Sequence, residues 1–580
     1  MTLQANEIDR STRATPLQDI RWDIATLIAV VAAWLVWTGF AVTTQGTWLD
    51  ETNYIVRAWW YISGLEVPYG ETDATRYVPL HFFALGFWQS LFGHDVIMSR
   101  LWSVFLTGIN ICLLAALIRR LRGTWWAVAF AILIFAFSEE SIFYFSSATP
   151  YALVVFLQLC ALNVVIDIER GRIWLRAIML SILLTALYLT RPEMTPFIAL
   201  ILGTILVRMG RSALPAIATI GVIFLSTYGA LAHHWGRKFI FVSMYFPAMT
   251  EVLIKIGMLP ELFPNAVRSS QTVYYDQQPA SLHAMIQSAF RIEIVRDWVV
   301  WHHLPQVAAA LFAVATLVAF GIARLRWLSF FTTAYWLGLL YYLVAGQLQC
   351  SICVQAYLNY VDYQAAISGG LALQVILDRR VLSRARLLAA AFASIALLVA
   401  AQSFLISGRL KLPSAFHQNM SLPKQVDLLA TRIRGNIQAD VPIGIVGVDN
   451  RLLLALTASD VKFSAWSLVM PYNYRRMAAG LMPDEIERTR QEIEALTDWT
   501  DLTADRWLSE DYQRIVVVDL PRTPRPEWVI WHPDAPKVIN ALSRCFEKER
   551  TISVGEIDPP MTLSVYGRRI SGASCLDSNQ

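Results

Sequence analysis

The sequence predicts a polytopic α-helical membrane protein of about eleven transmembrane helices, with extracytoplasmic loops and a soluble C-terminal α/β domain. Three observations lead there. The 580 residues are 56% hydrophobic and only 16% charged, whereas a soluble domain carries about 25% charged residues. Apolar windows recur along most of the chain, and a hydrocarbon core of about 30 Å takes roughly 20 apolar residues of helix to cross. Finally, the turns between alternate windows are short and rich in arginine, as expected of turns left on the cytoplasmic face.

The windows are 24–42, 98–118, 125–137, 151–166, 173–189, 195–207, 213–232, 307–323, 327–345, 365–377 and 387–406. Arg10, Arg13 and Arg21 precede the first, in a polar tail over 1–21, so the N-terminus is expected in the cytoplasm. No small-residue cleavage site follows that first window, which therefore reads as a retained helix and not a removed signal peptide. Counting alternately, the inside turns hold Arg119, Arg120 and Arg122; Arg170 and Arg172; Arg208 and Arg211; Arg324 and Arg326; and Arg379, Arg380 and Arg386. Three long segments fall outside: 43–97, 233–306, and everything from about 408. Residues 22–407 thus read as a membrane domain and 408–580 as an extracytoplasmic domain. The 21 Trp and 21 Tyr suit membrane interfaces. A net charge of +4 is too small to imply a nucleic-acid partner, and the partners expected are membrane lipids and their derivatives.

Beyond residue 408 the composition becomes that of a soluble domain. Strands are predicted over 443–448, 514–520, 551–556 and 562–566, with helices over 451–457, 483–496 and 536–545. This alternation predicts an α/β unit. Gly444-Ile445-Val446-Gly447 lies within a strand, so it is no dinucleotide loop, and the unit reads as a substrate-shaping or partner-binding lid. Among six cysteines, Cys112 and Cys160 read as packing residues. Cys350 with Cys353, and Cys545 with Cys575, are candidate disulfides outside a cytoplasm; two cysteines alone do not make a zinc site.

Candidate chemistry concentrates in the first outer segment, where the chain leaves the membrane as Trp48-Leu49-Asp50-Glu51-Thr52-Asn53-Tyr54-Ile55-Val56-Arg57-Ala58. Two adjacent carboxylates there could simply favour the start of a helix. Against that bland reading stand Arg76, Tyr77, Pro79, His81, Asp95 and Arg100 in the same apolar surroundings, where charge is costly and tends to mark a site. Arg191 sits on the outer face against the positive-inside bias, with Glu193 as a salt-bridge partner that would explain it structurally. A second acidic pair, Glu139-Glu140, falls at the next outer turn and reads first as a solvated turn, alternatively as an acceptor or metal site. His302-His303, beside Trp298 and Trp301, read as part of an interfacial belt.

Asp50-Glu51-x-x-Tyr54-x-x-x-Ala58 resembles the D-E-x-x-Y-x-x-x-A signature in the first external loop of class C glycosyltransferases (GT-C). These include the protein O-mannosyltransferases and the bacterial lipid A aminoarabinose and core galacturonic acid transferases. Arg76-Tyr77-Val78-Pro79-Leu80-His81 is similar to the P-P-L-type stretch that follows, with Val78 replacing the first proline. Arg100-Leu101-Trp102-Ser103 resembles the R-L-x-S entry to the second span. Thr149-Pro150-Tyr151-Ala152-Leu153 resembles the R-P-Y-A-L stretch of the galacturonosyltransferase-like branch, with threonine in place of arginine.

The resemblance covers residues 25–210 and implies transfer of a sugar from a polyprenyl-phosphate-linked donor to a lipid, glycan or protein acceptor of the cell envelope, lipopolysaccharide included. It implies Asp50 as general base, with inversion at the anomeric carbon. Partial desolvation suits that role by raising a carboxyl pKa toward the working range. Glu51 either positions Asp50, contacts the acceptor, or replaces it as base. For the donor phosphate, arginine's planar fork binds two oxygens at once; the candidates are Arg76 and Arg191, with Arg57 and Arg100 behind them, and His81 and Tyr54 alongside. No cofactor motif is evident, and a divalent metal stays open. Two other classes compete: a transporter, disfavoured because ionisable residues gather at one face and no half-repeat shows, and a non-catalytic scaffold, for which Asp50 would be dispensable.

Overall fold

A computed structural model describes residues 17–46, 49–65, 67–69, 78–168, 173–244, 295, 299, 302–321, 325–349, 353–378, 384–409, 422–438, 441–446, 449–465, 512–519, 545–557 and 560–569. Each apolar window carries a helix: α1 (Leu17–Thr44), α4 (Val96–Arg120), α5 (Trp125–Ala136), α7 (Tyr151–Val165), α8 (Ile173–Thr190), α9 (Thr195–Met209), α10 (Leu214–Met244), α11 (Leu304–Phe320), α12 (Arg326–Gln349), α14 (Asp362–Asp378) and α15 (Arg384–Arg409). Between them lie α2 (Leu49–Ser63), α3 (Leu80–Phe92), α6 (Glu139–Phe145) and α13 (Cys353–Leu358). Among the described residues, four stretches are long and apolar enough to cross a bilayer: Ile24–Thr44, Val96–Arg120, Ile173–Thr190 and Pro192–Gly236. The apolar helices α5, α7 and α11, together with Arg386–Ala400 of α15, are shorter, and Pro192–Gly236 combines two of the windows expected from the sequence. The middle loop expected from residue 233 begins later, because α10 continues to Met244 across a kink at Gly236, where φ is 69°.

The helix ends follow local chemistry. Asp95 caps α4 by accepting from the Met98 N–H at 2.9 Å, and Ser138 caps α6 by accepting from Ser141 N–H at 3.1 Å. Proline stands in the first turn of α9 and of α11, where its missing N–H costs nothing. One core cluster runs through the bundle, with α5 against α14, α7 against α4 and α8, and α11 and α12 against α14. The periphery is inverted relative to a water-soluble protein: Val207 is 86% exposed and Val318 79%. Such side chains face lipid without penalty, since the bilayer is as apolar as they are. This is a multi-pass membrane protein.

The C-terminal unit is built on α16 (Leu422–Arg434), α17 (Asn450–Thr457) and a mixed five-stranded sheet in the order β2-β1-β3-β5-β4. The strands are β1 (Ile443–Val446), β2 (Phe463–Ala465), β3 (Arg514–Asp519), β4 (Phe546–Val554) and β5 (Met561–Arg568). β1 pairs in parallel with β2 and β3, whereas β5 is antiparallel to both β3 and β4. All four residues of β1 are buried, as expected of a strand covered on both faces. The helices expected over 483–496 and 536–545 lie outside the described residues, Cys545 excepted. Cys545 is disulfide-bonded; Cys575, Cys350 and the side chain of Cys353 lie outside the described residues.

The sheet unit does not hang free of the membrane bundle. α17 packs on α2, Trp60 meets the Phe463 ring edge-on at 4.9 Å, and one core cluster joins Tyr54, Ile55, Phe82 and Leu85 to Leu429, Leu453 and Val516. A buried ion pair fixes α17 in turn. Asp449 caps it through Arg451 N–H at 2.8 Å and accepts from the same residue's Nη2 at 2.8 Å, while Arg451 Nη1 donates to Gln425 of α16 at 3.0 Å.

α2 and α3 cross closely because Gly86 has no side chain; a Cβ there would run into the Ala58 carbonyl oxygen and sit 2.5 Å from Ile62 Cγ1. Gly86→Ala is therefore expected to lower the unfolding temperature by forcing the two helices apart. Gly108→Ala, with nothing within 4 Å of its Cβ, is expected to be neutral or slightly stabilising. Thermal unfolding of the purified variants checks both.

Candidate active site

Asp50 and Glu51 occupy the first turn of α2, where the helix dipole favours negative charge. Consecutive helical residues point about 100° apart, and here the two carboxylates meet different surroundings. Glu51 faces inward and is fully buried. Arg100 Nε donates to its Oε1 and Nη2 to its Oε2, both at 2.8 Å, and the Ala148 N–H donates to Oε1 at 3.0 Å. The rest of Arg100 is equally engaged: Nη1 donates to the carbonyls of Val42 (2.9 Å) and Gln45 (3.0 Å), and Nη2 to that of Gly46 (2.7 Å). A guanidinium has five N–H donors, and all five are used within the protein. Arg100 has none left for a phosphate; it and Glu51 frame the site. Gln45 extends the frame by donating to Ser147 Oγ at 2.8 Å and accepting from Ser146 Oγ at 3.0 Å.

Asp50 is half-buried, and its charge reaches Tyr144 of α6. Burial first, then the negative charges of Glu140 and Asp50, holds the Tyr144 phenol protonated well above its ordinary range. One turn after Asp50, on the same face of α2, the buried Tyr54 accepts a hydrogen bond from Arg191 Nη2, whose guanidinium carbon also lies 5.7 Å from the Tyr54 ring centre. Arg191 directly follows α8 and is nearly buried, 3.8 Å from Glu193. The salt bridge foreseen for Arg191 is present, but loose, and the tyrosine contact stands beside it. His81, at the start of α3, meets Tyr54 edge-on at 5.1 Å. Its pKa is pulled down to about 3, by burial and then by the Arg191 charge, so it is neutral at pH 7. Tyr151 stacks on Tyr360 at 5.0 Å and meets Tyr144 at 4.7 Å, closing a tyrosine wall around Arg191.

Asp50, Tyr54, His81, Arg191 and Glu140 are thus drawn to one end of the bundle. Arg57 is buried on α2, where its Nε donates to Asn53 at 2.8 Å. Arg76 and the side chain of Glu139 lie outside the described residues.

Two expectations change. Glu140 is no solvated residue: it is 5% exposed, and His302 Nδ1 sits 2.5 Å from its Oε1. His302 and His303 do not belong to an interfacial belt either. Both are buried, and His303 Nδ1 lies 2.8 Å from Asp362 Oδ2. Tyr144, Tyr360 and the Asp362–His303 pair escaped the sequence reading. The one available signal was an acid between tyrosines at a span boundary, Tyr360-Val361-Asp362-Tyr363, because charge at such depth seldom lacks a purpose. Among the described residues, no three His, Cys, Asp or Glu side chains converge as a metal site.

A membrane helix bundle, an amphipathic helix carrying Asp50 and Glu51 at one end of it, and a small sheet packed onto that helix make up the fold. Among solved structures the chain is similar to ArnT from Cupriavidus metallidurans bound to undecaprenyl phosphate, with a TM-score of 0.53 and 13% sequence identity over 94% of this chain and 98% of that one. The apo state of the same protein superposes with a TM-score of 0.40 at 12% identity, over the same shares of the two chains. No family model matches the chain, and no curated protein matches it in sequence.

Breaking the Glu51–Arg100 pair from one side leaves an uncompensated buried charge, which costs about 3–5 kcal/mol. Arg100→Met alone is expected to destabilise by that order, and Glu51→Leu combined with Arg100→Met by less than the sum of the two single changes, measured by denaturant unfolding. His81 gives a pH signature of defined sign. The unfolded chain protonates it near 6.5 and the folded chain only near 3, so stability is expected to fall as pH drops from about 6.5 toward 3. His81→Phe is expected to flatten that part of the profile of unfolding temperature against pH.

Proposed function

We propose that this chain is an integral membrane glycosyltransferase that moves a sugar from a polyprenyl-phosphate-linked donor to a lipid, glycan or protein acceptor on the extracytoplasmic face, with Asp50 as general base. The observation that carries this reading is the placement of Asp50, half-buried, one helical turn from the Arg191–Tyr54 pair. A proton acceptor and an anion receptor then stand at the same end of the bundle. That the similar ArnT structure is bound to undecaprenyl phosphate supports a lipid phosphate as the anion. The Arg-rich turns at the opposite end support a cytoplasmic N-terminus and an outward-facing site.

In the reaction, Asp50 takes the proton from the acceptor's nucleophile as its lone pair attacks the anomeric carbon. The bond from that carbon to the phosphate oxygen breaks, and the released phosphate keeps the electron pair. One displacement inverts the anomeric centre. Arg191 receives the developing phosphate charge, in a dry site where the interaction is strong. Neutral His81 adds no competing charge, and Tyr54 orients the guanidinium. Glu51 and Arg100 hold the start of α2 in place, and Glu140 borders the acceptor side.

The test is transfer of radiolabelled sugar from a polyprenyl-phosphate donor pool in membranes holding equal amounts of each protein. Removing a general base typically costs about 10²–10⁴-fold, so Asp50→Asn is expected to lose transfer on that scale. Arg191→Lys keeps the charge but loses the fork and is expected to fall less. Undiminished transfer by Asp50→Asn removes Asp50 as base, and absence of transfer by the wild-type chain across several donors and acceptors favours a transporter or scaffold.

A further inference from the structure

At the end of the bundle away from Asp50, the carbonyl end of α7 gathers arginines. Arg120 Nη1 donates to the Asn163 carbonyl at 2.9 Å, Arg208 Nη1 to those of Val165 (3.1 Å) and Ile166 (3.0 Å), and Arg176 Nη1 to that of Asp167. A helix C-terminus carries partial negative charge, which accounts for the capping. It does not account for the whole of Arg120. Its hydrogen bonds all leave through Nη1, the second going to Asp167 Oδ2 at 3.5 Å, so the donors on Nε and Nη2 meet no acceptor among the described residues. The side chain is 48% exposed. Among the described residues, three guanidiniums gather at this end of α7: Arg120 lies 3.5 Å from Asp167 Oδ2, and Arg176 and Arg208 donate to backbone carbonyls.

Arg120 also closes a groove of about 400 Å³ between α4, α7 and α8, whose other walls include Leu113, Cys160, Val164, Met179 and Ile182. The groove opens outward, where Ile182 is 59% and Met179 44% exposed on the lipid-facing side of α8. From Leu113 to Arg120 it runs roughly 10 Å along α4. An apolar trough on the exposed side of the bundle, ending in a guanidinium with donors to spare beside two further arginines, matches an amphiphile with an anionic head.

We infer that this groove binds an anionic glycerophospholipid of the leaflet facing away from the Asp50 site, its phosphate on Arg120 and the upper part of one acyl chain along the trough. The short trough suits one chain of a two-chain lipid, the second remaining in the bilayer. A zwitterionic lipid would bring a cation to a rim already rich in cations and bind less well. The site is separate from the glycosyl-transfer site and does not depend on that reading.

The test is the unfolding temperature of the purified full-length chain in detergent, with added phosphatidylglycerol, phosphatidylcholine or undecaprenyl phosphate. Phosphatidylglycerol is expected to raise it by more than phosphatidylcholine does, as a ligand bound only to the folded state must. Arg120→Gln is expected to abolish that difference. Because Arg120 also caps α7, Ile182→Trp is the second variant: it fills the trough from an exposed position, leaves the lipid-free unfolding temperature close to that of the wild type, and should likewise abolish the difference. Equal shifts from the two phospholipids in the wild-type chain overturn the inference, as does a phosphatidylglycerol shift that survives both substitutions. A shift from undecaprenyl phosphate that Arg120→Gln removes, alongside a phosphatidylglycerol shift it leaves intact, overturns it in favour of a second polyprenyl-phosphate groove.

Discussion

The five N–H groups of Arg100 reach both oxygens of Glu51 and three carbonyls at the end of α1, and Glu51 in turn holds the Ala148 N–H at the turn before α7. Four separate segments of chain meet at this one pair: the end of α1, the beginning of α2, the first turns of α4, and the turn that carries Ala148. In a site without water no solvent can replace a lost partner, so the geometry is close to all-or-none. The direction in which α2 leaves the membrane, and therefore where Asp50 and Tyr54 point, rests on it.

From that fixed end, α2 is gripped along its length by two different surfaces. On one side α3 closes against it at Gly86, bringing His81 to Tyr54. On the other, α17 and Phe463 of the C-terminal unit pack on it, and the apolar core passes without a break from Tyr54 to the interior of the sheet. The C-terminal unit is thus part of what holds α2 in place, more than the detachable lid that its soluble composition brings to mind. The Asp449–Arg451–Gln425 network serves this contact, since it orients α17, the helix that meets α2.

Electrostatics at the mouth follow a consistent logic. Arg191 brings a positive charge there, with Glu193 3.8 Å away on one side and, around the rest of it, neutral His81 and the phenols of Tyr54, Tyr151 and Tyr360. Glu51 is neutralised by Arg100, and Glu140 is held by His302. At the opposite end of the bundle the guanidiniums cap a helix terminus and face lipid, so the two membrane faces differ in what their arginines are free to do.

Hydropathy and charge alone determined a great deal. Helices stand at every apolar window and the strand positions of the C-terminal unit are close to those expected, because burial in lipid or in a sheet core demands apolar runs of set length whatever their neighbours. The acids of α2 stood out in the sequence as candidates, since charge in apolar surroundings needs a reason. What one-dimensional patterning does not carry is pairing. That Glu51 belongs to Arg100, 49 residues on, that His302 and His303 belong to Glu140 and Asp362, and that Tyr360 stands beside Arg191 are matters of which helix lies against which. Adjacent residues such as Asp50 and Glu51 look alike in sequence, yet the helical rotation between them sends Glu51 into a closed ion pair and leaves Asp50 half-buried. Only the tertiary structure decided that, because desolvation and hydrogen-bond partners, which give a carboxylate its role, are properties of the packed neighbourhood and not of the residue.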